Sequence, residues 1–191
     1  MLLIDIEKYA ALYNIPIMQK EGIEFLVNYI KENNITKILE IGTAIGYSAI
    51  KMALVSTDVK ITTIERDEER YQMALLNIAK FDLTKQIEVI KGDALETEIN
   101  GQFDLIFIDA AKSQYLNFFN KYNDNLAANG VVITDNINFH NLVSADLAML
   151  SKNLRGLIKK LNLYIDFLKD NDNYETSFIN IGDGLAISKK K

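Results

Sequence analysis

Residues 36–48 read TKILEIGTAIGYS, and this stretch decides the fold of the chain. The apolar run Lys37–Ile41 has the composition of a buried strand, and Gly42 and Gly46 follow it as the chain enters a helical pattern at 46–55. A strand that turns through glycine into a helix leaves backbone N–H groups and open space at its carboxyl end. In an α/β sheet that edge is where ligands bind, so the stretch predicts both a fold class and the place of a site.

The rest of the chain repeats this alternation of short apolar runs and longer helical patterns. We predict strands at 37–41, 60–65, 87–91, 103–108, 130–134, 177–181 and 185–188, and helices near 20–32, 46–55, 67–80, 113–126 and 142–169. Strands that are apolar on both faces and alternate with helices indicate a mostly parallel α/β sheet covered on both sides. Only Gly182–Gly184 separates the last two strands, which allows a hairpin and therefore one antiparallel strand near the end of the sheet.

Length and composition restrict the class of protein. The 191 residues, 49% of them apolar, suffice for one well-buried domain over 1–191, with an N-terminal helical appendage at about 1–33 that Pro16 divides. The absence of cysteine excludes a disulfide framework and suits a cytoplasmic protein. The first twenty residues do not resemble a signal peptide, and no apolar run is long enough to cross a bilayer, so we expect no membrane partner.

Charge is spread unevenly along the chain. The net charge of −5 argues against indiscriminate binding of nucleic acid. Residues 151–160 nevertheless contain four basic residues and no acid, and the chain ends in three lysines. The basic run is either a solvated helix face or a local phosphate-binding stripe.

The glycine spacing after the first strand argues against a dinucleotide. A dinucleotide fold requires Gly-x-Gly-x-x-Gly, whereas this chain has Gly42-x-x-x-Gly46, with Ala44 at the second position of the pattern. Glu40 lies just before the loop, where a carboxylate would repel phosphate and attract a cation such as a sulfonium.

Acidic residues also follow the second and third predicted strands. Glu65 ends the second strand, where it can accept hydrogen bonds from ribose hydroxyls. Gly92, Asp93 and Ala94 follow the third, and Asp93 could meet an adenine amino group. Recognition of a ribose, a base and a cation without a phosphate describes S-adenosylmethionine.

A second set of polar residues follows the fourth and fifth strands. Asp109 and Lys112 come after the fourth, and Asp135 and Asn136 after the fifth, so their side chains can converge at one edge of the sheet. Two carboxylates and an amide oxygen favour Mg²⁺ or Ca²⁺ over zinc. A substrate with two vicinal oxygens could chelate that ion, and Lys112 could accept the proton of the attacking hydroxyl.

Together these motifs resemble the cation-dependent O-methyltransferases of the class I S-adenosylmethionine family, which includes the catechol and caffeoyl-coenzyme A methyltransferases. The resemblance covers nearly the whole chain, including 16–18, 39–48, the Asp-x-x-Lys motif and the Asp-Asn pair. It implies a Rossmann-like seven-stranded sheet with an antiparallel last strand, commonly in a homodimer.

The resemblance also implies roles for individual residues. Lys112 would be the catalytic base beside Asp109, and Asp109, Asp135 and Asn136 would hold Mg²⁺ or Mn²⁺. The residues that would contact S-adenosylmethionine are Met18, Gly42, Tyr47, Ser48, Glu65, Asp93, Ala94 and Asp109, to which the residue pattern adds Glu40, Thr43, Gly46 and Gly92.

The last part of the sequence indicates which kind of molecule accepts the methyl group. Residues 174–188 and the basic helix before them look most like the bacterial tRNA 5-hydroxyuridine methyltransferases, which implies a tRNA anticodon arm as partner. The alternatives are a small catechol-like phenol as acceptor, and a non-catalytic module that only binds S-adenosylmethionine.

Two further features concern the neighbourhood of the acceptor. The loop 137–141 reads INFHN, where many relatives have a tryptophan or leucine and a glycine. Its His140, the only histidine, either orients the substrate or is a loop residue with no catalytic part. An aromatic group at helical spacing is expected to pack in the core or at a dimer contact rather than to stack on a base, and its members are Tyr115, Phe118, Phe119 and Tyr122.

Overall fold

The computed structural model of the protein describes residues 2–138 and 151–191. Within them seven strands form one sheet: β1 (Lys37–Ile41), β2 (Lys60–Glu65), β3 (Ile87–Lys91), β4 (Phe103–Ile108), β5 (Leu126–Thr134), β6 (Tyr174–Ile179) and β7 (Leu185–Lys190). Their order is β3-β2-β1-β4-β5-β7-β6. β1 to β5 are parallel to one another, whereas β7 is antiparallel to both β5 and β6. The predicted mixed α/β sheet with an antiparallel last strand is confirmed.

Six α-helices of the described residues cover the two faces of this sheet. They are α1 (Leu3–Leu12), α2 (Lys20–Glu32), α3 (Tyr47–Ala53), α4 (Glu68–Lys80), α5 (Tyr115–Tyr122) and α6 (Lys152–Asp170). One core cluster packs α1 to α4 against one face, and the other packs α5 and α6 against the opposite face. Neighbouring residues of β4 and β5 are buried in alternate clusters, as expected of strands covered on both sides.

β1 to β4 have the predicted bounds, and the later strands are longer than predicted. β5 begins at Leu126 rather than 130 because Leu126 already pairs with Phe103 of β4, before a register shift brings Val131 opposite Leu105. The glycine therefore continues the strand instead of starting it. β6 begins at Tyr174 rather than 177 because Tyr174 still pairs with Lys190 of β7.

The helices differ from prediction mainly around the site. The predicted helix 113–126 is a 3₁₀ turn at Lys112–Gln114, then α5, then a second 3₁₀ turn at Asn123–Asn125. α6 begins at Lys152, where the Ser151 hydroxyl accepts the N–H of Leu154, and the predicted helical residues 142–150 lie outside the described ranges. α1 and α2 are separate helices, which confirms the predicted break near Pro16.

None of the helices in the described ranges is long and apolar enough to cross a bilayer. The strand order reverses between β1 and β4, since β2 and β3 lie beside β1 and β5 lies beside β4. The helix that follows β1 covers one face of the sheet, and the helix that follows β4 covers the opposite face. Such a switch point opens a crevice at the carboxyl edge of the sheet.

Candidate functional site

A cavity of about 400 Å³ lies at this switch point, between the carboxyl ends of β1 to β5. Its wall combines residues from five strand ends with the segment between α1 and α2. The structure thus brings together twelve predicted site residues: Met18, Gly42, Thr43, Tyr47, Ser48, Glu65, Gly92, Asp93, Ala94, Asp109, Lys112 and Asn136.

Gly42 sets how closely the loop after β1 approaches β4. Its φ of +104° is one that residues with a side chain rarely adopt, and a Cβ built there would lie 2.2 Å from the Asp109 carbonyl oxygen. The N–H groups of Gly42 and Thr43 both donate to the Ile64 carbonyl, at 3.1 and 3.2 Å. Glycine is required here because two backbone segments meet beneath the cavity.

Glu65 holds the loop from the side of β2. Its carboxylate accepts the N–H of Ala44 and the N–H of Asp67, both at 2.8 Å. The side chain is 7% exposed and lines the cavity. A carboxylate fixed by two backbone donors is a preorganised acceptor for further hydroxyl groups.

Asp93 is fixed in the same way at the end of β3. One carboxylate oxygen accepts the Leu95 N–H at 2.9 Å, and the other lies 3.6 Å from the Arg66 guanidinium. Gly92 allows the chain to turn here, since a Cβ on it would lie 2.6 Å from the Thr97 hydroxyl oxygen.

Glu40 does not lie in the cavity wall, and the contact between its carboxylate and a bound cation stays a prediction. The side chain is fully buried and accepts hydrogen bonds from the hydroxyls of Ser48 at 2.5 Å and Thr63 at 2.6 Å. Burial raises the pKa of Glu40 from 4.5 to about 7, although both hydroxyls oppose the rise. Its place is beneath the loop, where Thr63 links it to the Thr43 hydroxyl at 2.6 Å.

Gly46 is likewise outside the cavity wall, so its contact with the cofactor stays a prediction. It precedes α3 with a φ of +85°, and a Cβ on it would meet Ala74 of α4 at 3.5 Å. Gly46 therefore shapes the entry into α3 and its packing against α4.

Tyr47 connects the cavity to the N-terminal helices. Its hydroxyl donates to the Glu7 carboxylate on α1 at 2.8 Å, while the residue also lines the cavity. Burial, and then Glu7, raise the pKa of Tyr47, so the phenol stays protonated as a donor. Pro16, Ile17 and Met18 continue this wall.

Two carboxyl groups, half-buried Asp109 and buried Asp135, lie at one end of the cavity, after β4 and β5. Asp109 lines it, and Asp135 is 3% exposed and outside the wall itself. Their backbone N–H groups donate to Ile41 and Ile108 carbonyls at 3.0 and 3.1 Å, and the Tyr115 hydroxyl donates to the Asp135 carbonyl at 3.0 Å. The two turns are therefore fixed to the sheet and to α5.

These carboxyl groups influence each other's ionisation. Burial raises the pKa of Asp109 from 3.8 to about 6, and the charge of Lys112 opposes the rise. Burial and, next, the Asp109 charge raise the pKa of Asp135 to about 7. Two like charges buried together are stabilised by a cation between them.

The donor set fits a hard divalent cation. Asn136, with a φ of +63°, lies in the cavity wall with its amide nitrogen 3.5 Å from the Asp135 carboxylate. In the described parts of the chain no three His, Asp or Glu side chains form a metal cluster. A cation here would depend on Asp109, Asp135 and Asn136, and would keep positions for water or substrate oxygens.

Several residues that line the cavity were not predicted from the sequence. Arg66 and Arg70 line the wall beyond Glu65, and Gln114 and Phe118 line it beside Lys112. The position of Arg66 directly after the acidic strand end was the one available signal. The other three depend on helix orientation, which spacing alone does not give.

The remaining predictions concern aromatic residues and the histidine. The aromatic group on α5 is buried in the core cluster with α6, which confirms the packing role. Tyr115 and Phe119 make edge contacts with Tyr164 at centroid distances of 5.6 and 6.2 Å. His140 lies outside the described residues, as does the end of the loop 137–141.

Known proteins share this fold and much of this sequence. A family model described as O-methyltransferase matches residues 3–191. The crystal structure of a Staphylococcus aureus protein, provisionally assigned as a caffeoyl-CoA O-methyltransferase, superposes with a TM-score of 0.95 at 40% identity, covering 100% of this chain and 93% of that one. The structure of an O-methyltransferase from Bacillus cereus, solved with S-adenosylhomocysteine, superposes with a TM-score of 0.85 at 25% identity and covers 99% of this chain and 90% of that one. A flavonoid 3',5'-methyltransferase from Vitis vinifera is 28% identical over 98% of this chain and 83% of its own length.

Proposed function

Because the chain belongs to the S-adenosylmethionine-dependent O-methyltransferase family, we propose that it uses a divalent cation to methylate 5-hydroxyuridine in tRNA, giving 5-methoxyuridine. The observation that carries the cation-dependent part is the position of Asp109. This residue lines the cavity, and its backbone packs closely against Gly42 in the loop after β1. Its charge also raises the pKa of Asp135. Cofactor and acceptor would therefore meet at one aspartate.

The cofactor would lie along the wall from β1 to β3. Glu65 would accept the ribose hydroxyls, and Asp93 the adenine amino group. The open loop at Gly42 would receive the methionyl part, with Tyr47 and Met18 closing the opposite wall. These assignments follow from the lining residues of the cavity.

The acceptor would lie at the Asp109 end of the cavity. Asp109, Asp135 and Asn136 would hold Mg²⁺ or Mn²⁺, which when bound would acidify the acceptor hydroxyl and orient its oxygen. Lys112, a half-buried residue of the same wall, would take the hydroxyl proton as its amine. The carbon–oxygen bond would form as the methyl carbon–sulfur bond breaks, leaving S-adenosylhomocysteine and a protonated Lys112.

The choice of tRNA rests on the last part of the chain. The 4-oxo and 5-hydroxy oxygens of 5-hydroxyuridine are vicinal, as in a catechol, so they suit the same ligand set. Residues 174–188 and the basic run 152–160 favour an RNA. Mass spectrometry of tRNA nucleosides from a strain lacking this protein should show 5-hydroxyuridine in place of 5-methoxyuridine. Unchanged 5-methoxyuridine would overturn the assignment.

A small catechol-like phenol is the second candidate acceptor. The flavonoid methyltransferase of Vitis vinifera, 28% identical to this chain, is named for such a substrate. Assays with purified protein would compare kcat/KM for hypomodified tRNA and for catechol. A preference for catechol would favour this second candidate.

Replacing one carboxylate separates the catalytic proposal from a module that only binds the cofactor. Asp135→Ala should abolish turnover while S-adenosylhomocysteine affinity, measured by calorimetry, stays within about threefold, because Asp135 lies outside the cavity wall. Asp58→Ala removes an exposed carboxylate and should retain full activity. Full activity of Asp135→Ala, or of the wild type in excess EDTA, would remove the cation from the mechanism.

We further propose a homodimer, in line with the resemblance. Light scattering coupled to size-exclusion chromatography would give the mass, and a value of one chain at micromolar concentration would contradict the proposal.

A further inference from the structure

The amino-terminal half of α6 extends beyond the sheet on the side of the cavity. The Tyr164 and Thr134 hydroxyls are hydrogen bonded at 2.7 Å, which places Tyr164 level with the carboxyl end of β5. Further along α6, Phe167 contacts Phe119, which contacts Tyr174 at the opposite end of the sheet. The residues before Tyr164 therefore lie past the carboxyl edge.

This projecting half of the helix is strongly basic. Lys152, Arg155, Lys159 and Lys160 are all exposed and lie 4 to 12 residues before Tyr164. At 1.5 Å per residue they are about 6–18 Å beyond the sheet edge. No acidic residue lies between 151 and 165. A cluster of four cations thus stands beside the cavity of a protein whose net charge is −5.

The helix that carries the cluster contacts a wall segment at the catalytic end of the cavity. α6 lies alongside the 3₁₀ turn Lys112–Gln114, two residues of which line the cavity. The lysines at the end of the chain are not part of this cluster, because Lys190 pairs with Tyr174 at the opposite edge of the sheet.

Gly156 is the unusual residue of this surface. At 100° per residue, Lys152, Arg155, Gly156 and Lys159 fall on one face of α6. Glycine inside a helix is unfavourable relative to alanine. Gly156 is exposed and has no positive φ, and apart from its chain neighbours and the backbone of its own helix no atom of the described chain lies within 4 Å of a Cβ built on it. Neither backbone conformation nor packing within those residues explains a glycine there, whereas close approach of a partner would.

We propose that this basic face, formed by Lys152, Arg155, Gly156 and Lys159, binds the phosphates that flank the acceptor nucleotide, with Gly156 as the point of closest approach. The inference rests on the proposed tRNA acceptor. Charge complementarity selects the phosphate backbone as the occupant, since Lys and Arg contacts to phosphate supply most sequence-independent affinity for RNA. The face ends where Asp166 and Asp170 introduce negative charge.

Steady-state methylation of tRNA purified from a strain lacking the protein would test the basic face. Lys159→Glu should raise KM for tRNA about tenfold with kcat unchanged, and should lower the slope of log affinity against log salt by about 1. Lys80→Glu makes the same charge change on α4, across the sheet, and should leave KM unchanged.

Gly156→Ala supplies the sharper test because it should stabilise the protein and at the same time weaken tRNA binding. Tm should rise by about 2–4 °C, since alanine favours the helix, while KM for tRNA should rise roughly fivefold from the lost close contact. S-adenosylhomocysteine affinity should stay at the wild-type value in all three variants.

The outcomes separate this inference from the function on which it rests. If the wild type forms 5-methoxyuridine in tRNA but Lys159→Glu and Gly156→Ala keep the wild-type KM, the basic face is wrong and the function stands. If the wild type forms no 5-methoxyuridine, both are overturned. A more stable Gly156→Ala with an unchanged KM would by itself remove Gly156 from the contact.

Discussion

Gly42 is the residue at which a single methyl group should have the largest effect on the cofactor loop. Gly42→Ala would place a Cβ 2.2 Å from the Asp109 carbonyl oxygen at a φ of +104°, and we expect a loss of about 3 kcal/mol or more in the free energy of unfolding. S-adenosylhomocysteine binding should fall below detection. Gly101→Ala is the matched control, because its φ is +100° but nothing lies within 4 Å in the described chain, so it should cost only about 1 kcal/mol of strain. Equal losses in urea unfolding would contradict the steric argument.

Glu40 should make stability depend on pH. Its folded-state pKa of about 7 lies above its ordinary value of 4.5, so its favourable contribution is complete below about pH 4.5 and is lost as pH rises through about 7. Glu40→Gln does not titrate, and its amide can accept from Ser48 and donate to Thr63. The free energy of unfolding of the wild type relative to this variant should therefore fall by about 3 kcal/mol across that window. Parallel urea curves for the two proteins at each pH would contradict this.

Single residues were predictable where position in a strand fixes their direction. Glu65, Asp93 and Asp109 follow strand ends, so their place at the carboxyl edge could be read from the sequence. Glu40 could not, because β1 is buried on both faces and its sequence shows no polar side. The hydrogen-bonded position of Glu40 appears only with the register, since Glu40 lies opposite Thr63 in the β1–β2 pair and accepts its hydroxyl.

At the scale of elements, α1 should influence cofactor affinity through one hydrogen bond. Tyr47→Phe and Glu7→Gln each weaken or remove the 2.8 Å bond between the cavity wall and α1. We expect each variant to lose roughly fivefold in S-adenosylhomocysteine affinity, and the double variant to lose no more than either single one. Calorimetry on the four proteins completes the double-mutant cycle. Additive losses would show that the two residues act independently.

Elements were predictable in proportion to the strength of their pattern. β1 to β4 are short runs rich in apolar and β-branched residues, and their bounds match the prediction. The region 113–126 is predicted as one helix but forms most of a 3₁₀ turn, α5 and another 3₁₀ turn. The hydroxyls of Tyr115 and Tyr122, bonded to the Asp135 and Ala94 carbonyls, fix both ends of α5 to neighbouring loops. Tertiary contacts of this kind leave no trace in helical periodicity.

At the scale of the whole molecule, the site draws on residues from Pro16 to Asn136. The strand order explains why a sequence could indicate its centre, since parallel strands deliver their carboxyl ends to one edge. The order does not indicate what closes the cavity. The wall from Pro16 to Met18 depends on how α1 and α2 pack on the sheet, and helix packing is set by shape rather than by spacing.

The stability of the whole molecule should depend jointly on cation and pH. Asp109 and Asp135 have pKa values raised to about 6 and about 7 by burial, so without a cation the native state loses stability as both ionise. A cation that binds only the native state at about 100 times its Kd adds about 2.7 kcal/mol, which raises Tm by about 5–11 °C in a chain of this length. Protons compete for the same oxygens, so millimolar Mg²⁺ should raise Tm at about pH 8 and have little effect at about pH 5.

Asp135→Asn should remove the Mg²⁺ response, whereas Asp58→Asn, at an exposed position, should keep it. An equal rise in Tm with NaCl at matched ionic strength, or a rise that persists in Asp135→Asn, would show that the carboxylate pair holds no cation.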